Sequence, residues 1–192
     1  MLARELEAVR AFQKLFDVTL AKVGTPINQT PEPHQRLNRR IIDEEIGETI
    51  TKGVQAGNEI EIADGCADAL YVIAHAINQL GRIPNCQRDA AAAVALAEAR
   101  DRINSAFSRI GLPLATDDDI DRNLSYAEII VRGVAAVYNI PLDAVFDEVH
   151  RSNMTKVWPD GKGRKDEGGK VLKPDTYERA RIAEVLSGAR TG

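Results

Sequence analysis

Between Gln35 and Leu80 the chain sets carboxylates at three- and four-residue steps inside otherwise apolar, helix-patterned sequence. The first cluster is Glu44-Glu45-x-x-Glu48; the second is Glu61-x-x-Asp64, with Asp68 one turn further on. Residues three and four apart share a helix face, so Glu45 points with Glu48, Glu61 with Asp64, and Asp68 continues the second row. Glu44 lies four residues from Glu48 and leans the same way. Ile41, Ile42, Ile46 and Ile50 on one stretch, and Ile60, Ile62, Leu70, Val72 and Ile73 on the other, predict two helices that pack together. The Gly57-Asn58 turn and the short connection from Lys52 to Glu59 make them a tight antiparallel hairpin, with the acid rows facing each other across a cleft.

A bare acid is costly to bury, and four or five like charges in one cleft repel strongly. A surface ion-pair lattice would supply basic partners at i+4, but only Glu48 and Lys52 stand in that relation. A hard divalent cation, Mg2+ with Mn2+ as the alternative, is the natural neutraliser, because such ions prefer oxygen ligands and bridge to phosphate. These residues therefore point to an enzyme acting on phosphates.

The remaining pattern is helical. Leu2, Leu6, Val9, Phe12, Leu15 and Phe16 make an amphipathic stripe over 2–20. Gly24, Pro26, Pro31 and Pro33 break it into a loop. Helices are expected over about 35–55, 59–80 (closed by Gly81), 89–110 (stopped by Gly111 and Pro113), 117–138 and 141–153. From Trp158 to Pro174 the sequence is rich in Gly, Lys and Asp without an apolar period, which predicts a mobile basic loop at about 157–175. No clean period-two run marks a strand. The expected fold is an all-α helical bundle in a single domain, 1–192, with 82–125 as an inserted helical hairpin.

With 192 residues the chain is long enough to bury a core without staples. A net charge of -4 gives no global attraction to nucleic acid or to an anionic membrane. No run approaches the roughly 20 apolar residues of a membrane span. Cys66 and Cys86 suit neither a disulfide framework nor a zinc site; reduced, packed thiols and a cytoplasmic location are expected.

The acid spacing resembles the signature of the all-α nucleoside triphosphate pyrophosphohydrolases, a group that includes MazG-like enzymes, dimeric dUTPases and phosphoribosyl-ATP pyrophosphohydrolase. The segment Glu61-Ile-Ala-Asp-Gly-Cys-Ala-Asp-Ala-Leu-Tyr-Val-Ile is similar to that family's second metal helix. Glu148-Val-His-Arg-Ser-Asn-Met-Thr-Lys156 is similar to a C-terminal motif of the MazG-like branch nearest phosphoribosyl-ATP pyrophosphohydrolase, and the tail from Asp160 through Lys173 to Tyr177 follows it. The resemblance covers about residues 5–80 and 135–178; the stretch from Arg82 to about Ser125 is longer than expected for the branch.

The resemblance implies Mg2+-dependent attack of water on the α-phosphorus of a nucleoside triphosphate, releasing the monophosphate and pyrophosphate. Glu45, Glu48, Glu61 and Asp64 would be the metal ligands, with Glu44, Glu45 and Glu48 catalytic. Glu44 would be either a further ligand or the base that orients the water, and Asp68 a carboxylate bonded to the ligands or to metal water. Asn153 and Lys156 would contact nucleotide or phosphate. Cations are needed for the rest of the triphosphate, and Arg151, Lys173 and Tyr177 belong to the same segment, whose loop can close over a polyphosphate. Family sites are commonly completed by a neighbouring subunit, and a homodimer or homotetramer is expected.

Three other readings compete. A carboxylate-bridged di-iron or di-manganese bundle would use paired Glu-x-x-His motifs, of which only Asp147-Glu-Val-His150 comes near. A non-catalytic helical scaffold would carry its acids as surface charge. A phosphoribosyl-ATP pyrophosphohydrolase is the alternative within the same class.

Overall fold

A computed structural model describes residues 3–18, 32–80, 101, 102, 105 and 117–191. Its elements are helices α1 (Ala3–Leu15), α2 (Glu32–Glu48), a π-helical turn (Thr49–Val54), α3 (Glu59–Leu80), α4 (Asp117–Val137), α5 (Leu142–Met154) and α6 (Ile182–Thr191). Among the described residues there is no strand, only an isolated antiparallel bridge between Lys165 and Val171. The all-α expectation holds. The expected helix 89–110 lies almost wholly outside the described residues, as do Cys86 and most of the proline loop; 101, 102 and 105 are helical.

The core forms around α3, which packs against α1, α2, α4, α5 and α6. Ile62, Ala63, Cys66, Ala67, Leu70, Ile73 and Ala74 of α3 are fully enclosed, and Ile42, Ile46, Val9, Leu124, Val145 and Phe146 close over them. Burying one such large side chain stabilises by roughly 1.5–3 kcal/mol, which makes this stripe the main source of cohesion. Cys66 is buried and forms no disulfide, and its enclosure pushes the thiol up to about 12. Ile60, expected in the packed face, is 42% exposed, because it lies on the outer side of the first turn of α3.

Helix ends follow local chemistry. The α1 stripe stops earlier than the 2–20 expectation, at a Schellman closure: Val18 N–H donates to the Gln13 carbonyl (2.8 Å), Asp17 N–H to that of Lys14 (3.3 Å), and Asp17 takes φ 49°. The end of α4 repeats the motif, with Asn139 at φ 54° and the Ile140 N–H on the Ala135 carbonyl. Gly57, at φ 65°, makes the expected turn, and the Asn58 Oδ1 caps α3 by accepting from the Ile60 N–H at 3.1 Å. Helix α6 was not expected from sequence; Ile182 and Leu186 form its short buried face.

The α2–α3 pair is antiparallel, with close backbone approaches that permit only small residues. A Cβ on Gly53 would stand 2.9 Å from Ile62 Cγ1, and one on Gly65 would fall on the Thr49 hydroxyl. One turn beyond, Glu45 meets Asp68. The partners of 53, 49 and 45 thus advance along α3 as 62, 65 and 68, which fixes the register. Gly65→Ala is expected to cost about 2–3 kcal/mol through overpacking. Urea unfolding of Gly65→Ala, Thr49→Gly and the double variant measures it; Thr49→Gly clears the obstruction, so the two costs should fall short of adding.

Candidate functional site

The hairpin register decides which acids meet. Glu45, half-buried on α2, accepts a hydrogen bond from the Asp68 carboxyl on α3, and Asp64 lies one turn back on that row. Burial raises Asp68 well above the usual carboxylate range; the charges of Glu45 and Asp64 add to the rise. Burial, then Glu45 and Glu61, hold Asp64 up at about 6, against the opposing pull of Lys173 and Lys156. Glu45 is raised by burial and by Glu44, with Lys170 and the Asp68 bond acting the other way. These are carboxylates held in repulsion, where a cation would be favoured.

Two of the other predicted acids, Glu44 and Glu48, have partners on the chain. Glu44 takes Lys170 Nζ on both carboxylate oxygens, at 3.1 and 2.9 Å. Glu48 is turned to Lys52 at 2.8 Å, the i+4 partner that the sequence offers this cluster. Both acids are more than two-fifths exposed, so each pair is screened by water and exchanges readily. Among the described residues no three Asp, Glu, His or Cys side chains converge closely enough to cage a metal ion. The donor set nevertheless fits a hard divalent cation in kind, being carboxylate oxygen throughout, and the repulsion within it is what such an ion relieves.

Opposite the acids stand cations from the C-terminal segment. Lys156, just past the end of α5, is drawn toward Asp68 and Glu45, while burial, and then Lys173 and Lys170, depress its pKa. Its Nζ lies 6.0 Å from the Phe12 ring centre and 5.9 Å from that of Tyr177; Lys173 Nζ sits 4.8 Å over the same tyrosine. Asn153 is buried and bonds to Tyr71, whose hydroxyl also pairs with His150 Nδ1 at 3.2 Å. Tyr71 is raised by burial and by the Asp68 charge, so its phenol stays protonated. Sequence reasoning did not single out Tyr71, though its place three residues after Asp68 on one helix face was the available signal. Phe12 joins this aromatic group edge-on to Tyr71 at 5.5 Å.

Arg151 stands apart from the other predicted phosphate contacts. Its guanidinium donates to Glu148 through Nε (2.9 Å) and NH2 (2.8 Å), to Glu178 at 2.7 Å, and to the Arg179 carbonyl at 3.2 Å. The Glu148 carboxyl also accepts the Arg181 backbone N–H at 2.8 Å. This network pins the approach to α6 onto α5. Tyr177 is held from the same side, its hydroxyl accepting from Ser152 at 3.0 Å. Arg151 holds the Glu148 carboxyl down at about 2, aided by the Arg181 amide. A lowered folded pKa contributes stability above the unfolded value, near 4.5, that is lost as pH falls toward 2. Glu148→Gln is therefore expected to lose about 1–2 kcal/mol at pH 7. Wild type and variant should converge in urea midpoint as pH is lowered from about 5 to 2.

His75 meets Gln13 Nε2 at 3.2 Å, within a buried polar group where Asn78 donates to Gln13 at 2.8 Å. That is a packed histidine. Trp158 lies under the Arg164 guanidinium, 4.1 Å from the ring centre. Among the described residues no single helix is long and apolar enough to cross a membrane. Comparisons with family models, curated proteins and solved structures returned no match.

Proposed function

We propose that the chain is a Mg2+-dependent nucleoside triphosphate pyrophosphohydrolase, cleaving (deoxy)nucleoside triphosphates to the monophosphate and pyrophosphate. The observation that carries this reading is the juxtaposition of two opposite arrays: Glu45, Asp64 and Asp68 on one side, Lys156, Lys170 and Lys173 on the other. Acids alone suit a cation and lysines alone suit an anion; together they suit a metal-bound polyphosphate. The acid and C-terminal motifs also resemble those of the MazG-like enzymes, which is the second support.

In this reading Glu45, Glu48, Glu61 and Asp64 hold the cation, with Glu48 released from Lys52. The bound Mg2+ supplies neutralisation of phosphate oxygens, polarisation of phosphorus and a lowered pKa for water. The chain does the rest. Asp68 orients Glu45 through its hydrogen bond. Glu44, once free of Lys170, either joins the ligands or takes the proton of the attacking water. Lys156, Lys173 and Lys170 hold phosphate oxygens, and Asn153 positions the substrate from its bond to Tyr71. Arg151 acts at one remove, fixing the segment that carries Tyr177. A redox-metal bundle is less well supported, since His75 and His150 already bond Gln13 and Tyr71. The enzyme is proposed to work in the cytoplasm as a homodimer or homotetramer.

A panel of (deoxy)nucleoside triphosphates with Mg2+ or Mn2+, assayed for pyrophosphate with and without EDTA, tests the reading. Metal-dependent pyrophosphate from at least one nucleotide is expected, with EDTA abolishing it. Undiminished release in EDTA, or none from any nucleotide, would count against it.

A further inference from the structure

The loop after α5 is strapped across the acid-bearing face. Gly163 packs on Phe16, Lys165 Nζ donates to the Asp17 carbonyl at 2.8 Å, Asp166 lies 3.7 Å from Arg40, and Gly169 abuts Leu37. Within the loop, Asp166 grips Lys170 twice: the Lys170 N–H donates to its carboxylate (2.8 Å), and the Asp166 N–H donates to the Lys170 carbonyl (2.9 Å). The backbone of Lys170 is thereby fixed while its side chain reaches Glu44 at 3.1 and 2.9 Å. At 37% exposure for Lys170 and 43% for Glu44, the pair is wet enough to open.

We propose that this strap is a charge latch: Lys170 is the resident counter-ion of the acid face, so a bare divalent cation must compete with it, whereas a metal–polyphosphate complex supplies phosphate oxygens to which the lysine transfers. The inference rests on the proposed function for the identity of the ligands. It assigns Lys170 two roles of opposite sign. Against the free metal its charge is a competitor. Against the metal–polyphosphate complex it is a ligand, so that binding of cation and of polyphosphate is coupled positively and reciprocally. The latch thus discriminates against unproductive occupation of the acids by free cation.

The test is Mn2+ binding by the full chain, followed by the electron paramagnetic resonance signal of the free ion, for wild type, Lys170→Met and Lys162→Met. Lys162 is an exposed loop lysine whose loss changes net charge equally. Lys170→Met is expected to bind Mn2+ about two- to fivefold more tightly than the other two, the range set by a surface ion pair. In a second measurement, Mg2+ with tripolyphosphate should raise the wild-type melting temperature more than that of Lys170→Met. Equal Mn2+ affinity in Lys170→Met and Lys162→Met would overturn the latch while leaving the acid site standing. A tripolyphosphate shift undiminished in Lys170→Met would overturn the transfer. No Mn2+ binding by any of the three would overturn the latch together with the metal reading beneath it.

Discussion

Glu45→Gln is expected to lower metal-dependent turnover about 10^3-fold while leaving the cation-free protein more stable than wild type. The first effect follows from the position of Glu45 at the centre of the acids, bonded to Asp68 and repelled by Glu44. A bound metal ion would supply several kcal/mol of transition-state charge stabilisation that loss of a ligand forfeits, and about 4 kcal/mol corresponds to three orders of magnitude in rate. The second effect follows from the same placement. Glutamine keeps an oxygen to accept the Asp68 hydrogen bond but carries no charge into a partly dry site crowded with carboxylates. A gain on the order of 1 kcal/mol is expected, the usual exchange between function and stability at a strained site. Urea unfolding with EDTA reads the gain, and steady-state pyrophosphate release reads the loss. Added Mg2+ should stabilise wild type by mass action and Glu45→Gln far less. A variant both inactive and strongly destabilised would mean that Glu45 acts through packing instead.

The second large effect lies away from the site. Arg132 on α4 donates to both carboxylate oxygens of Glu5 on α1 at 2.9 Å, and through Nε to Glu128 at 2.9 Å, with Asp143 of α5 at 3.7 Å. The Glu5 side chain is wholly enclosed. Arg132→Leu takes the guanidinium away from that enclosed carboxylate, and a loss of about 3–5 kcal/mol is expected. Replacing Glu5 by Met as well removes the buried charge that lost its guanidinium, so the double variant should recover most of the loss. This non-additivity in a urea double-mutant cycle separates an ion-pair origin from a packing defect. A double variant as unstable as Arg132→Leu would locate the cost in packing of the arginine stem. Because α1 carries Phe12 to the aromatic group, and Phe16, directly following the helix, to the strap, the pair helps position the candidate site from a distance.

The hairpin at the heart of the fold was legible because its signals are local. Ile42 and Ile46 mark one apolar stripe, Ile62, Leu70 and Ile73 the other, and Gly57-Asn58 the reversal. The partner of Glu45 was less legible. Sequence spacing set Glu45 and Glu48 against the row Glu61, Asp64 and Asp68 without choosing among its members; the structure bonds Glu45 to Asp68 and turns Glu48 to Lys52. Sequence spacing did not mark where a π turn would widen the helix, and that turn begins at Thr49, immediately after Glu48. Contacts of the strap span more than a hundred residues, from Asp17 to Lys165 and from Glu44 to Lys170, and no local pattern encodes them. The Glu148–Arg151 pair was readable at i,i+3, yet the need for cations around a triphosphate drew Arg151 toward phosphate instead. Helix α6 was overlooked because its apolar face is only a few residues long. The Schellman closure at Asp17 depends on a left-handed aspartate, a weaker stop signal than glycine.

The most direct test of the central claim is product analysis by 31P NMR of a nucleoside triphosphate consumed with Mg2+ in 18O-labelled water. Attack on the α-phosphorus predicts one pyrophosphate per nucleotide and the label on the monophosphate alone. Orthophosphate with a nucleoside diphosphate, label in the pyrophosphate, or no turnover would contradict it.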